Sequence, residues 1–151
     1  MNSYSFFAPT KVLFGAGKLG ELGAQKLPGS KALIVTTGGN SVKRFGYLGR
    51  VEAELDRAGV AHELFDRIEP NPLRETVNEG GWMARTHGCD FVLALGGGSV
   101  MDGSKGICAV AANPHADAEG AECPGDIWDF VNGGTAKGLP IPNDPLPLVC
   151  V

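Results

Sequence analysis

Three consecutive glycines followed by a serine form the group of residues best suited to bind a ligand in this chain. Gly96, Gly97 and Gly98 come directly after an apolar strand predicted over residues 91–95. Because glycine has no Cβ, a phosphate group can approach the backbone closely there. Residues 99–112 are predicted to be helical, so the turn would aim backbone N–H groups and the positive end of a helix dipole at an anion. The pattern favours a nucleotide or another phosphate as the ligand.

Ser99 and Asp102 have two interpretations that the sequence leaves open. Their S-x-x-D spacing matches a capping box, in which Asp102 would only stabilise the start of the helix. In the other interpretation Asp102 faces a hydrogen-bond donor of a cofactor, such as a ribose hydroxyl or the nicotinamide amide, because a carboxylate would repel a pyrophosphate. We predict that residues 96–99 contact the phosphates and keep both roles for Asp102.

A second polar turn follows the strand predicted over residues 32–36. In a dinucleotide site this position lies near the adenine ribose, where enzymes that prefer NAD commonly have an acidic residue for the 2′-hydroxyl. This turn has amide and hydroxyl donors instead, with Lys43 and Arg44 close behind. It therefore favours NADP(H) over NAD(H), although a residue of the turn could simply cap the next helix. The residues of the turn predicted to contact the cofactor are Gly38, Gly39, Asn40 and Ser41.

Residues 15–20 match G-x-G-x-x-G, a pattern found in many dinucleotide-binding loops. Such a loop is accompanied by an acidic residue about 20 positions later. That region contains Thr36, Thr37 and Gly38, without a carboxylate. We therefore favour a tight turn over a cofactor-binding loop at residues 15–20.

No catalytic or metal-binding group is predicted in this chain. The three histidines are scattered, and no Ser-His-Asp or Cys-His arrangement can be argued. The cysteines form no C-x-x-C pair and lie mostly in or beside apolar segments, which is typical of reduced thiols in a cytoplasmic protein. These cysteines are Cys89, Cys108, Cys123 and Cys150.

Length and charge narrow the class of protein. With 151 residues, of which 43% are hydrophobic, the chain is long enough for one domain with a core. Its net charge of -4 argues against a surface for nucleic acid or anionic membranes. No apolar run approaches the length of a membrane span, and the N-terminus lacks the features of a signal peptide. We expect neither nucleic acid nor membrane as a partner.

The elements that must position these residues alternate between strand and helix. Strands are predicted over residues 11–14, 32–36, 62–65, 91–95 and 148–151. Helices are predicted over 18–27, 41–58, 74–87 and 99–112, with a short helical turn at 126–131, a loop at 113–125 and a Gly- and Pro-rich connection at 133–147. Repeated βα units imply an α/β fold, a Rossmann-like parallel sheet with helices on both faces. Such sheets bind ligands at the carboxyl ends of their strands.

Several motifs resemble those of one known family. Residues 96–105, GGGSVMDGSK, resemble the GGGSxxDxxK signature of the iron-containing (group III) alcohol dehydrogenases. Residues 9–17 resemble the family's P-x-x-V-x-F-G-x-G opening, residues 31–36 its first strong parallel strand, and residues 68–72 its E-P-N-P turn. Residues 38–46 are most similar to the NADPH-linked butanol dehydrogenase-like branch. These matches occur in the family's order over nearly the whole chain, which argues against chance.

The resemblance implies that residues 1–151 are an NAD(P)-binding domain, similar to the N-terminal domain of dehydroquinate synthase. It also implies that Asp102 faces the cofactor and that Asn71, held between two prolines, contacts the cofactor or shapes the turn. In intact members a helical C-terminal domain supplies an aspartate and three histidines that hold a divalent metal, usually iron or zinc. None of these ligands matches a position in this chain, so we expect that domain to be absent.

The chain is therefore expected to be the nucleotide-binding half of an enzyme that transfers hydride between NADP(H) and a primary alcohol or aldehyde, inactive by itself. A non-catalytic nucleotide-binding module and a glycerol-type dehydrogenase with the same N-terminal half are the alternatives. Because residues 148–151 look like the start of another buried strand, the chain looks truncated. An unpaired sheet edge at that strand would favour self-association, so we expect a homo-oligomer.

Overall fold

The computed structural model describes residues 3–5, 7 and 9–151. Its strands are β1 (Lys31–Thr37), β2 (Ala61–Ile68), β3 (Phe91–Ala94), β4 (His115–Ala116), β5 (Glu122–Cys123) and β6 (Leu148–Cys150). Its α-helices are α1 (Ser41–Arg44), α2 (Tyr47–Arg57), α3 (Arg74–Thr86) and α4 (Gly98–Ala112). Two 3₁₀ helices are η1 (Lys18–Ala24) and η2 (Ile127–Asp129). Within the described residues no helix is both long and apolar enough to cross a bilayer.

Four parallel strands form the central sheet, in the order β2-β1-β3-β6. The chain first moves from β1 outward to β2 and then returns to the other side of β1 with β3. The direction of strand order therefore reverses between β1 and β3. The Rossmann-like parallel sheet predicted from the sequence is confirmed.

Helices cover both faces of the sheet, because β1 sends alternate residues into two separate clusters. Leu33 and Val35 lie in a cluster with residues of α3 and α4. Ala32 and Ile34 lie in a second cluster with residues of η1 and α2. A strand covered in this way is apolar at successive positions, which explains the run that made β1 recognisable in the sequence.

Glycines allow α3 and α4 to approach one another closely. A Cβ added at Gly80 would lie 2.6 Å from Ile107 Cδ1, and one added at Gly81 would lie 2.6 Å from Val110 Cγ1. Because interiors are close-packed, these contacts fix how α4 lies on the sheet. The orientation of α4 in turn fixes the turn at its N-terminus.

Two predictions at the N-terminal end are wrong. Residues 11–14 form no strand, and Val12 and Phe14 are 73% and 94% exposed. Their apolar residues suit a strand, but a strand also needs a neighbour with free backbone groups. The nearby edge strand β6 pairs only with β3 among the described residues. Residues 11–14 and 148–151 instead line an open groove of about 990 Å³. The helix predicted over 18–27 is the shorter η1.

Two further predictions need correction. The helix predicted over 41–58 is two helices, because Gly46 adopts a left-handed φ of +69° between α1 and α2. The apolar spacing that suggested one helix belongs to α2, which buries Leu48, Val51 and Leu55. The predicted loop at 113–125 contains a two-stranded antiparallel pair, β4 with β5. Such short pairing has no period that a sequence pattern can reveal.

Candidate nucleotide-binding site

The carboxyl ends of β1 and β3 lie side by side, and both candidate turns leave the sheet at this edge. The Leu95 N–H donates to the carbonyl oxygen of Val35 at 2.9 Å. Thr36 Oγ1 donates in turn to the carbonyl oxygen of Leu95 at 2.9 Å, and this bond is buried. Residues 38–41 and 96–99 therefore start from one fixed point, where the strand order reverses. Open α/β sheets bind their ligands at such points.

The glycine turn combines one crowded position with two open ones. Gly96 has a φ of +155°, and a Cβ there would lie only 2.7 Å from Val100 Cγ2. A Cβ at Gly97 or Gly98 would meet no heavy atom within 4 Å. Gly96 is thus required for the chain to turn against α4, whereas Gly97 and Gly98 leave open space in front of the backbone.

Backbone donors without helical acceptors lie at this turn. The Met101 N–H donates to the Gly97 carbonyl oxygen at 3.1 Å, which is the first hydrogen bond of α4. The amides of Gly98, Ser99 and Val100 precede it and so have no acceptor within the helix. With 15 residues, α4 is long enough to add a substantial dipole. Free amides, a helix dipole and open approach together make a suitable phosphate site.

The capping-box interpretation of Ser99 and Asp102 is wrong. Gly97 is the N-cap of α4, and no described side chain caps it, because Ser99 is already the second residue of the helix. Asp102 lies on the exposed surface and accepts a hydrogen bond from Lys105 Nζ at 3.1 Å. Its carboxylate therefore remains accessible to a ligand, and its contact with a cofactor stays a prediction.

Asn71 follows β2 at the same edge of the sheet. Its φ of +54° makes it the one non-glycine residue with positive φ in the part of the chain that the structure describes. Such strain is common at functional sites. A Cβ on Gly103 would lie 3.3 Å from Pro72 Cγ, so the turn after β2 packs against the first turns of α4. A cavity of about 170 Å³ lies there and is lined partly by Pro72 and Asp102. The structure thus brings Asn71 to the edge that carries both glycine turns.

Residues 38–41 form an exposed turn between β1 and α1. Asn40 occupies the N-cap position of α1, but its side chain makes no capping hydrogen bond among the described residues. The side chains of Asn40 and Ser41 are therefore available to a ligand. A Cβ on Gly38 would lie 3.1 Å from the carbonyl oxygen of Asp66. The turn is thus in close contact with β2.

Sequence reasoning missed Asp66, which is the carboxylate that contacts this region. Asp66 Oδ2 lies 2.5 Å from Lys43 Nζ, and this hydrogen bond holds the pKa of the Asp66 carboxyl below its usual range. The dinucleotide-loop pattern predicts an acidic residue only in the segment that follows β1 along the chain. Asp66 comes from the neighbouring strand, and the predicted strand at 62–65 ended one residue before it. The sequence signal that could have identified Asp66 was an acidic residue at the end of the next strand.

The tight turn favoured for residues 15–20 agrees with the structure. Gly17, with a φ of +79°, is the N-cap of η1, a 3₁₀ helix of seven residues. The residues before it form no strand, whereas a dinucleotide-binding loop joins a strand to an α-helix. This pattern is therefore not a dinucleotide-binding loop of that kind.

The residues that the structure describes do not fit a metal ion. In the described ranges no three His, Cys, Asp or Glu side chains converge closely enough to hold one. Burial raises the pKa of Cys89 to about 11 and that of Cys108 to about 12, so neither is a ready thiolate ligand. Asp129 already has two side-chain partners, with His115 Nε2 at 2.5 Å and Lys137 Nζ at 2.6 Å. No catalytic step through a metal can be derived from these residues.

Comparisons with known proteins agree with the motif at residues 96–105. The model of the iron-containing alcohol dehydrogenase family matches residues 9–151. The chain is 38% identical over 148 residues to the probable NADH-dependent butanol dehydrogenase 1 of Bacillus subtilis, with 97% of this chain and 34% of that protein covered. It is 40% identical over 115 residues to the NADPH-dependent aldehyde reductase YqhD of Escherichia coli, with 76% and 29% covered.

A solved structure shows the same arrangement of elements. The archaeal halo-thermophilic Red Sea brine pool alcohol dehydrogenase superposes with a TM-score of 0.86 at 36% identity, over 99% of this chain and 36% of that one. The chain spans about a third of the length of the relatives it matches. Their names include both NADH- and NADPH-dependent proteins. Since the family model covers nearly the whole chain and the fold superposes, the chain belongs to the iron-containing alcohol dehydrogenase family.

Proposed function

We propose that this chain is an NAD(P)-binding α/β domain, spanning residues 1–151, and that it binds its cofactor where the carboxyl ends of β1, β2 and β3 meet. The turn at residues 96–99 carries the proposal. It offers three amides without helical acceptors, open space in front of two glycines and the N-terminus of α4. A pyrophosphate needs these features together.

Each part of the edge has a proposed role. Gly96, Gly97, Gly98 and Ser99 bind the pyrophosphate, and residues 38–41 hold the adenine ribose. Asn71 and Asp102 lie toward the other end of the cofactor, where the exposed Asp102 carboxylate accepts from a donor group. The bound cofactor supplies or accepts the hydride, and the residues of this chain bind and orient it.

The proposed reaction is hydride transfer between NADP(H) and a primary alcohol or aldehyde in a longer protein. The names of the relatives, which include butanol dehydrogenases and an aldehyde reductase, support this class of substrate. We assign the divalent metal implied by the family resemblance, iron or zinc, to residues outside this chain. The chain alone is therefore proposed to bind cofactor without turnover.

The proposed preference for NADP(H) rests on the donors of residues 38–41 and on the charge of Lys43, which reaches the same end of β2. A 2′-phosphate is a hydrogen-bond acceptor, which suits these donors, and an anion, which suits the charge of Lys43. Four free thiols, with Cys89 and Cys108 buried, support the cytoplasmic location that we propose.

Calorimetric titration of the chain with NADPH and then NADH, at one low ionic strength, tests the proposal. We expect both to bind and NADPH to bind more tightly. Tighter binding of NADH would remove the preference and leave the nucleotide-binding function. If a chain with native circular dichroism bound neither, the proposed function would be wrong.

A further inference from the structure

A bulge in β2 determines where Asp66 lies. Between Phe65 and Ile68, β2 has two residues where its partner β1 has only Thr36. This bulge lets both Phe65 and Ile68 join the cluster beneath α3 and α4. Asp66 and Arg67 are left outside that cluster. Bulges often re-aim a side chain next to a functional site.

The bulge brings Asp66 to the turn at residues 38–41. Its carbonyl oxygen lies 3.1 Å from the Cβ position of Gly38. Its carboxylate pairs with Lys43 at 2.5 Å, and the two side chains remain 35% and 47% exposed, respectively. The pair is thus charged and open to solvent, at the turn assigned to the adenine ribose.

Two nearby cations have other partners. The guanidinium of Arg44 lies over the ring of Phe45, 5.8 Å from its centroid. Arg67 forms an ion pair with Glu79. Lys43, by contrast, is paired with the carboxylate of Asp66, the residue that contacts the turn at Gly38.

This arrangement has opposite effects on the two cofactors. A 2′-phosphate that reaches Lys43 must approach the Asp66 carboxylate, and like charges repel. A 2′-hydroxyl can instead donate a hydrogen bond to a carboxylate. We propose that Asp66 is a specificity-determining residue: by competing for Lys43 it weakens binding of NADP(H) and so reduces the proposed preference for NADP(H) over NAD(H). The inference rests on the proposed function, because it requires the adenine ribose at residues 38–41.

The test compares the binding of NADPH and NADH to Asp66→Asn, Lys43→Met and the unaltered chain. Asp66→Asn keeps the size and removes the charge, and we expect it to tighten NADPH about three- to tenfold at low salt while weakening NADH. Added salt should shrink the gain, since the Debye length falls to about 3 Å at 1 M. Lys43→Met should weaken NADPH and leave NADH nearly unchanged. The control, Glu119→Gln, removes one charge beyond the opposite end of α4 and should change neither.

The outcomes separate this inference from the proposed function. If the unaltered chain binds both dinucleotides and Asp66→Asn leaves their affinity ratio unchanged, Asp66 does not set the preference. A fall in the NADPH-to-NADH affinity ratio would mean that Asp66 positions Lys43 for the phosphate, which also overturns the inference. Should Asp66→Asn fail to fold, Lys43→Met tests the same pair, and equal losses of NADPH and NADH would count against it. If the folded, unaltered chain binds neither dinucleotide, the proposed function itself fails.

Discussion

The hydroxyl of Thr36 donates a hydrogen bond of 2.9 Å to the carbonyl oxygen of Leu95, and the two residues are 1% and 4% exposed. The bond joins neighbouring strands at the last buried position before each glycine turn. It therefore couples the position of the turn at 38–41 to that of the turn at 96–99.

Replacing Thr36 by valine should loosen this edge. Thr36→Val keeps the shape and leaves the buried Leu95 carbonyl without its side-chain donor, which costs about 1–3 kcal/mol of unfolding free energy. Urea denaturation measures the loss. Thr86→Val is the control, because the Thr86 hydroxyl bonds to Trp82 on the exposed surface of α3. An equal, small loss in both variants would show that the buried bond is unimportant.

A carboxylate placed at Gly97 should weaken cofactor binding without lowering the stability of the fold. Aspartate and asparagine are both good N-cap residues, and the space at Gly97 is open. Gly97→Asp and Gly97→Asn should therefore unfold no more easily than the unaltered chain. Gly97→Asp should bind NADPH about tenfold more weakly than Gly97→Asn, because its charge repels the pyrophosphate. Equal affinities, measured by calorimetry, would place the phosphates elsewhere.

The close approach of α3 and α4 predicts opposite effects for two Gly-to-Ala changes. Gly81→Ala forces a methyl against Val110 and should lower the unfolding free energy by about 1–3 kcal/mol. Gly49→Ala, in α2 with nothing within 4 Å of its Cβ position, should raise it by about 0.5–1 kcal/mol. Val110→Ala in the Gly81→Ala background should recover part of the loss. A stabilising effect of Gly81→Ala in thermal unfolding would contradict the packing.

Asp126 should make stability depend on acidic pH. Its carboxylate accepts from Arg74 and Asn78 and from the Trp128 N–H, and the Arg74 hydrogen bond holds its pKa well below the usual range. A carboxyl whose pKa is lower in the folded state than in the unfolded state stabilises the fold at pH values above its unfolded-state pKa, about 3.9. That contribution is lost as pH falls below it.

The comparison of Asp126→Asn with the unaltered chain tests this dependence. The variant should be less stable at pH 7, and the difference should shrink as the pH is lowered below about 4. Denaturant titrations at several pH values give the two curves. Asp56→Asn, at a carboxylate with 72% side-chain exposure, should show little difference at any pH. A constant gap between the unaltered chain and Asp126→Asn would show that the ion pair is not formed.

The outer edge of β6 should drive self-association. Val151 donates its N–H to Ala94 in β3, so by strand alternation the N–H of Cys150 points toward the open edge. Cys150→Pro removes that donor and should shift the chain toward monomer in sedimentation velocity runs. Cys150→Ala removes the thiol, keeps the N–H and should behave like the unaltered chain. A monomer at every concentration would refute the prediction of a homo-oligomer.

The parts of the fold that were predictable from sequence are those decided by local burial and local turns. The unbroken apolar run of β1 follows from coverage on both faces. Gly59 and Gly88, with φ of +70° and +67°, directly follow the ends of the helices predicted over 41–58 and 74–87. The strand predicted over 11–14 failed because strand formation depends on a partner, which residue propensity does not encode.

The candidate site likewise has one part that local sequence predicts and another that depends on distant residues. The glycine turn at 96–99 was predictable because its residues are consecutive and follow a strand. Gly97 took the N-cap position that the S-x-x-D pattern assigned to Ser99, which shows that a short motif fixes the helix start only to within a turn. Asp66 was missed because its relation to Lys43 spans 23 residues and depends on a bulge.

The bulge in β2 also affects how variants of this strand should be chosen. Simple alternation from Phe65 would assign Arg67 to the core and Ile68 to solvent, the reverse of what the structure shows. A mutagenesis library that varied the positions assigned to solvent would damage packing at residue 68 and leave Arg67 unsampled. Randomising the adjacent pair, Asp66 and Arg67, while holding Phe65 and Ile68 fixed, would instead diversify the proposed cofactor edge without disturbing the interior.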